Sequence, residues 1–254
     1  MQARTERVAL RHAAAEPRLA RLREPTGGDE LAVGGIDTRS CVALLDRIVE
    51  GAPCPAADLS ASDRDGLLAA LHRALWGDRV VSTLRCEACG EPYDLAFELS
   101  WLQRALLAQC DRGRVAAPRT IEAADGARFT LPSAEEEDAA AALGPAAGRA
   151  QLVAAITGGD GADTDIAARL DALAPLIDVD LDTSCAECGH AALARFDIQS
   201  FVLQRLLDER DGVLGEVHAL AASYGWALAE ILSLPRALRR SLVERIGATP
   251  APFG

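Results

Sequence analysis

The chain has 254 residues, half of them apolar but only 4% aromatic, so we expect a helix-rich fold with a core of Leu, Ala, Val and Ile. Its formal charge of −12 argues against a sequence-independent grip on nucleic acid, because neutralisation of phosphates supplies most of that affinity. It contains no lysine, which excludes functions based on a P-loop lysine, a Schiff-base lysine or a Ser-Lys pair.

The first third of the chain is predicted to contain an arm and two helices. Residues 1–36 are predicted to form an extended arm with one short helix. A second predicted helix runs to Gly77 from Ser62, which with Asp65 resembles an N-cap and its reciprocal acid. Between them, helical spacing of apolar residues over 37–50 predicts another helix. Its apolar positions are Val42, Leu45 and Ile48.

Four short runs have the composition of strands, and each pair of them flanks a pair of cysteines. Residues 79–85 are rich in β-branched side chains, and residues 93–99 alternate apolar and polar side chains. A helix over 101–110 follows. The runs 177–184 and 191–198 repeat this arrangement later in the chain.

The middle of the chain combines a turn signal with an acidic helix start. Asp125-Gly126 lies between two short apolar runs and predicts a hairpin. The acids from Glu135 onward are predicted to open an Ala-rich helix, because negative charge complements the helix dipole there. Asp160, Asp163 and Asp165 lack the spacing of a calcium loop, so a loop that ends in a helix cap is predicted instead.

Cys86, Cys89, Cys185 and Cys188 form two CxxCG knuckles, and we predict that together they hold one structural zinc ion. Two thiolates two residues apart can bind one metal ion from a tight turn, and a following Gly permits a positive φ. Two knuckles supply the four sulfurs of a closed tetrahedral site, whereas a catalytic zinc usually keeps one position open to water.

The two knuckles belong to an internal repeat with an offset of 99 residues. Cys86 matches Cys185 and Phe97 matches Phe196, and a Gln-Arg pair occurs in the helix after each unit. We therefore predict two copies of a strand, knuckle, strand, helix unit. The 95 residues between Cys89 and Cys185 exceed the roughly 15–20 of a compact ribbon, which indicates an insertion between the copies.

Three other interpretations of the cysteines remain open. The pairs could be redox CxxC motifs, although such motifs normally begin a helix after a strand. They could form separate sites that use His72 or His190 as further ligands, or be a metal-free remnant. Cys41, Cys54 and Cys110 have no partner at ligand spacing and are predicted to be buried apolar residues. With the four knuckle cysteines they make up the seven cysteines of the chain.

The predicted fold class is α+β, mostly helical with a small antiparallel zinc-ribbon sheet built from the two knuckles. We divide the chain into four segments of one zinc-linked domain. They are the arm (1–36), helices with the first unit (37–110), an inserted hairpin and helical segment (111–176), and the second unit with C-terminal helices (177–254). No fingerprint of a catalytic or nucleotide-binding site is present, so a non-enzymatic protein is expected.

The region 199–247 is predicted to be wholly helical, with breaks at Asp211-Gly212, Gly225 and Pro235. Its last helix places Leu238, Leu242 and Ile246 every four residues, which predicts that Arg236, Arg239 and Arg240 point largely outward. An Arg-bearing helix after a turn is compatible with a helix-turn-helix, and a small helical hairpin packed on the ribbon is the alternative.

Three segments together resemble a known family, the T4-like phage baseplate proteins and their relatives in contractile injection systems. They are LREPTGGDE at 22–30, the CxxCG knuckle between strands, and a terminal pattern. The terminal pattern comprises Glu216-Val217-His218, Tyr224, Trp226, Glu230-Ile231-Leu232, Leu234-Pro235-Arg236 and Arg239-Arg240. The resemblance is clearest over 80–100 and 177–247, and the acidic middle does not share it.

The resemblance implies a non-enzymatic part in building the baseplate or hub of a contractile tail, as a subunit or as an assembly factor. The expected partners are other baseplate or tail-hub proteins, with no membrane, nucleic acid or small-molecule substrate. No stretch reaches the 18 or so apolar residues of a membrane span, and the first 22 residues lack the apolar region of a signal peptide. We therefore expect a cytoplasmic location, or incorporation into a particle assembled there. A zinc-ribbon regulator that binds DNA through the C-terminal helices and a thiol oxidoreductase are the alternatives.

Overall fold

The computed structural model describes residues 6–13, 18–110, 113–158 and 165–248, and it has the predicted α+β class with helices predominating. The helices are α1 (Gly27–Ala32), α2 (Thr38–Ile48), α3 (Ala61–Trp76), α4 (Leu99–Ala108), α5 (Ala134–Ala142), α6 (Pro145–Thr157), α7 (Ile166–Leu173), α8 (Ile198–Asp208), α9 (Arg210–Tyr224), α10 (Leu228–Leu232) and α11 (Arg236–Ala248). The strands are β1 (Glu6–Ala9), β2 (Leu19–Leu22), β3 (Val49–Glu50), β4 (Arg79–Arg85), β5 (Pro92–Glu98), β6 (Arg114–Ala117), β7 (Thr120–Glu122), β8 (Arg128–Thr130), β9 (Asp178–Ser184) and β10 (Ala191–Asp197).

The described residues of the N-terminal segment pack against the main core. Strands β1, β2 and β3 form a three-stranded antiparallel sheet in that order. Alternate residues of β2, Ala20 and Leu22, are buried in the main core. The alternation follows from strand geometry, in which successive side chains point to opposite faces.

The main core is formed by α2, α3 and α8, whose leucines and isoleucines interdigitate. As predicted, Leu45 and Ile48 of α2 are fully buried, and Val42 packs against them from a half-buried position. The largest fully buried apolar side chains of the main core are Leu45, Ile48, Leu59, Leu67, Leu68, Leu71, Leu99, Ile198 and Leu203. No helix among the described residues combines the length and the apolarity that crossing a bilayer requires.

The start of α3 differs from the prediction by two residues. Its N-cap is Ser60, whose hydroxyl accepts a hydrogen bond from the Asp63 N–H, and not Ser62. Ser62 donates its hydroxyl to the carbonyl of Pro175. Asp65, predicted to be the reciprocal acid, is buried and accepts the N–H of Ile177 from a distant part of the chain. The cap was mislocated because both serines fit the local pattern, and a tertiary contact engages one of them.

The region between the two units has a second, smaller core. Strands β6, β7 and β8 form an antiparallel sheet, and the β7–β8 turn contains the predicted Asp125-Gly126, with Gly126 at a φ of 84°. The acidic helix α5 begins after Ser133, which forms a capping box with Glu136. The buried members of this core are Ile121, Phe129, Leu131, Ile156, Ile166, Leu173 and Ala174. Asp160 and Asp163 of the aspartate-rich loop lie outside the described residues.

The C-terminal region is helical from Ile198 to Ala248 apart from its short connections. The predicted breaks at Gly225, which has a φ of 67°, and at Pro235 are confirmed. The break predicted at Asp211-Gly212 is wrong, because α8 ends at Asp208 and α9 already begins at Arg210. A helix interior tolerates one Gly at a cost of about 1 kcal/mol, so Gly212 weakens α9 without ending it.

Candidate metal centre

Two β-hairpins repeat one another at the predicted offset of 99 residues. In the first hairpin Arg79 pairs with Glu98, and in the second Asp178 pairs with Asp197. The Leu99 N–H donates to the Asp78 carbonyl, and at the equivalent positions the Ile198 N–H donates to the Ile177 carbonyl. The repeat predicted from sequence therefore extends from strand register to the first residue of the helix that follows.

The four strands do not form the single sheet expected of a ribbon. Strands β4 and β5 form one two-stranded sheet, and β9 and β10 form another. The hairpins instead meet through side chains, with the Phe97 and Phe196 rings edge to face at a centroid distance of 4.9 Å. The one ribbon sheet predicted from the two knuckles is therefore replaced by two separate hairpins, which side-chain packing and not backbone pairing brings together.

Each knuckle is a tight turn closed by backbone hydrogen bonds. The Cys86 N–H donates to the Glu91 carbonyl, and the Gly90 N–H donates to the Cys86 carbonyl. Cys185 and Gly189 repeat these contacts. Both glycines lie in the left-handed region, with φ values of 77° for Gly90 and 72° for Gly189, so a Gly is required at the end of each knuckle for the reason the sequence suggested.

The two turns bring Cys86, Cys89, Cys185 and Cys188 together, with all four sulfurs within 4.8 Å of one another. The Cys86 and Cys188 sulfurs are 3.6 Å apart, and those of Cys89 and Cys185 are 3.7 Å apart. A tetrahedron with metal–sulfur bonds of about 2.3 Å has edges of about 3.8 Å, whereas a disulfide bond is about 2.05 Å long. The thiols are thus spaced as the ligands of one tetrahedral ion, and they can hold a metal.

The surroundings of the cluster are suited to a closed, structural site. Cys86 and Cys185 are buried beneath Tyr93 and Leu84, while Cys89 and Cys188 are exposed. Backbone hydrogen bonds from Cys89 and Ala88 lower the pKa of the Cys86 thiol to about 6, whereas desolvation and contacts with the other three thiols raise the pKa of Cys89 to about 12. A thiolate is the form that binds a metal ion, so without a metal the cluster holds a thiolate at Cys86 and a proton at Cys89.

The two histidines considered as further ligands lie outside the cluster. Among the described residues, only the four cysteines form a group of three or more potential ligand side chains. His190 is exposed, and it caps the second knuckle through its backbone carbonyl. His72 is fully buried in the main core, where its ring lies 5.4 Å from that of Trp76 and 5.6 Å from that of Phe201.

The burial of His72 predicts acid sensitivity. Desolvation and the nearby Arg205 lower its pKa to about 4, so the folded protein keeps the ring neutral while the unfolded chain protonates near pH 6.5. The unfolded state then binds more protons between those values, and stability falls as pH decreases through that window. We expect wild type to lose about 2 kcal/mol more than His72→Phe between pH 7.5 and 4.5, measured by urea unfolding.

The test compares wild type with His72→Phe because Asp65, which both proteins contain, changes stability with pH in the opposite direction. Burial raises the pKa of its carboxyl to about 7, which favours the folded state at lower pH. The exposed His218→Phe serves as the control and should keep the wild-type pH profile. If the free energy of unfolding fell equally with pH in wild type and His72→Phe, burial of His72 would not be the cause of the acid sensitivity.

The three remaining cysteines are distributed through the fold. Cys41 is fully buried in the main core, as predicted, and desolvation raises the pKa of its thiol to about 12. Cys54 and Cys110 are only half-buried, so the prediction that they are buried is wrong for these two. Cys54 packs against the main core, and the Cys110 thiol donates to the Leu106 carbonyl at 3.4 Å.

The arginines of the last helix form a buried ion-pair cluster, which the sequence did not predict. Arg236 and Arg239 are 3% and 0% exposed, so the expectation that they point outward is wrong. Both guanidinium groups bind the buried carboxylate of Glu30. Arg239 also donates to Glu216 at 2.5 Å, and Arg236 also binds Glu209. Glu30 at one end of the chain and two acids near α9 neutralise these charges, which is why they can be buried.

Backbone hydrogen bonds also join the segment around Glu30 to the start of the last helix. The Arg236 N–H donates to the Pro25 carbonyl at 3.0 Å, and the Gly27 N–H donates to the Leu234 carbonyl at 3.4 Å. A Cβ at Gly27 would lie 2.9 Å from a terminal nitrogen of Arg239, so a larger residue there would displace the buried guanidinium. Three acids and two glycines within residues 24–30 were the only signal in the sequence, and they do not identify a partner about 200 residues away.

No family model, curated protein or solved structure matches this chain.

Proposed function

We propose that Cys86, Cys89, Cys185 and Cys188 hold one structural zinc ion that joins the two repeat units. The observation that carries this is the spacing of four sulfurs within 4.8 Å, contributed equally by two hairpins that share no backbone pairing. A bound zinc would link the hairpins at their tips, since four thiolates complete its tetrahedral coordination and leave no position for a substrate. Its contribution would be folding free energy.

Metal analysis tests this proposal directly. Protein purified without added zinc should contain about one zinc per chain, and chelation should expose four thiols to a thiol reagent, as expected for a four-cysteine site. The Cys54→Ser protein provides the baseline, because this cysteine lies outside the cluster. A metal-free protein with four freely reactive thiols would overturn the zinc site and favour the redox interpretation.

We further propose that the protein is a non-enzymatic subunit or assembly factor of a contractile-tail baseplate, in a phage or an injection system. Two of the three segments behind the resemblance, LREPTGGDE and the terminal pattern, contact each other through Glu30, Arg236 and Arg239. This contact supports the proposal. The two segments lie far apart in the sequence, and the buried contact gives both of them one common structural role. The expected partners are other baseplate or hub proteins.

Particle assembly tests the baseplate proposal. In a host that produces contractile particles, loss of this protein should leave tails without completed baseplates in electron micrographs. Wild type and Cys54→Ser should restore them, and Cys86→Ser should not. Normal particles in the absence of the protein would refute an essential part in assembly.

The ion-pair cluster argues against the alternative of a DNA-binding regulator. Arg236 and Arg239 are buried and bound to carboxylates, so they cannot reach phosphates or bases without loss of those pairs. We therefore expect no sequence-specific retardation of DNA in a gel-shift assay at low salt. Specific binding that is lost on Arg240→Ala would revive the regulator.

A further inference from the structure

The internal repeat ends each unit with a helix, and the two helices follow their hairpins in the same way. Helix α4 begins directly after β5, and α8 begins directly after β10. Both first residues, Leu99 and Ile198, are fully buried and make the repeated backbone hydrogen bond described above. The two helices are therefore comparable positions of one structural unit.

The surroundings of the two helices differ sharply. Helix α8 packs against α1, α2, α3 and α9, and it buries Ile198, Val202, Leu203 and Leu206. Helix α4 buries only Leu99 and Leu102. Its remaining large apolar side chains include Trp101, which is 57% exposed, and Leu107, which is 48% exposed. One copy of the repeat is thus enclosed by helices of this chain, and the other presents an apolar face to solvent.

The face of α8 that corresponds to this exposed face is covered by helices of this chain. At the offset of 99 residues Arg104 corresponds to Leu203 and Leu107 corresponds to Leu206, and both leucines are buried in the main core. Arg104 in α4 is exposed, and within the described part of the chain its guanidinium has no ion-pair or hydrogen-bond partner. A segment that covers the α4 face would therefore contact apolar side chains and supply a carboxylate to the arginine.

Trp101, Arg104 and Leu107 occupy one side of α4, because residues three apart on a helix are surface neighbours. Tryptophan and arginine are the residues most enriched among those that dominate binding energy at protein interfaces. Arg104 also places a positive charge in this apolar face, on a chain whose net charge is −12. The face is therefore complementary to a helix that carries both aliphatic and acidic side chains.

We propose that the α4 face formed by Trp101, Arg104 and Leu107 binds an amphipathic helix of a partner protein, with an acidic side chain against Arg104. In the second repeat unit, other helices of this chain cover the corresponding face of α8. The inference goes beyond the baseplate proposal and does not depend on it, since it concerns helix binding by this face whatever the partner's identity.

A peptide from this chain supplies the probe. Residues 209–224 form a helix that packs on α8, and the segment contains Glu209 and Glu216 besides aliphatic side chains. A fluorescein-labelled, amidated peptide of this sequence should bind the full-length protein saturably in an anisotropy titration. We expect Trp101→Ala and Arg104→Glu each to raise its Kd at least about tenfold, the scale of an interface hot spot.

The control is Leu193→Ala, which truncates a side chain that is 68% exposed on β10, away from α4. Its Kd should equal that of wild type, and all three variants should keep the wild-type melting temperature because the replaced side chains are exposed. No binding, or equal binding by Trp101→Ala, would overturn the proposal. A dimer in sedimentation that Trp101→Ala dissociates would also overturn it, by assigning the face to a second copy.

Discussion

Replacement of Cys86 by serine is expected to lower the zinc content from about one per chain to near zero and to reduce the melting temperature by on the order of 10 °C. The physical reason is that the two hairpins share no backbone hydrogen bonds and meet through side chains and the four sulfurs. Loss of one ligand opens the tetrahedron and leaves the remaining thiolates without a common ion. Elemental analysis and thermal unfolding measure the two effects.

The same substitution at a cysteine outside the cluster provides the control. Cys54→Ser should keep the zinc and shift the melting temperature by no more than a few degrees, since Cys54 is half-buried and makes no contact with the cluster. Cys185→Ser should behave as Cys86→Ser does, because the two positions are equivalent in the repeat. Full zinc and normal stability in either cluster variant would rule out the four-cysteine site.

Glu30→Gln is expected to destabilise the protein by about 3–5 kcal/mol, although it changes a single side chain by almost no volume. Glu30 is buried and binds both Arg236 and Arg239. A neutral amide leaves two buried guanidinium groups with less compensation, and the cost of a buried, under-compensated charge is far larger than the value of an exposed ion pair. Urea unfolding at pH 7 measures the difference.

Glu135→Gln removes the same charge from an exposed position at the start of α5 and should change stability by less than about 1 kcal/mol. A double-mutant cycle gives a sharper test. Because Glu30 and Arg239 are partners, Glu30→Gln with Arg239→Gln should cost clearly less than the sum of the two single substitutions. Additive costs would show that the contact contributes little.

The two knuckles that bring the four cysteines together could be predicted from sequence because their requirements are local. Two cysteines two residues apart and a following Gly specify a knuckle, and Gly90 and Gly189 have the positive φ that this spacing implies. The offset of 99 between Cys86 and Cys185 predicted the repeat, and the paired strand registers follow it residue by residue. The strands of both hairpins were predictable for a similar reason, since alternation is a property of neighbouring residues.

The tertiary structure alone decided how these local units are joined. Arg236 and Arg239 have the helical spacing of surface residues, and only the approach of Glu30 makes their burial possible. Ser60, and not Ser62, caps α3 because Ser62 is engaged by Pro175, more than 100 residues away. Likewise α4 and α8 have similar sequences and connections, yet only α8 is enclosed by other helices. The spacing of residues along the chain determines turns and the faces of helices and strands. Burial depends instead on which distant segments contact each other, and no local pattern in a single sequence specifies those contacts.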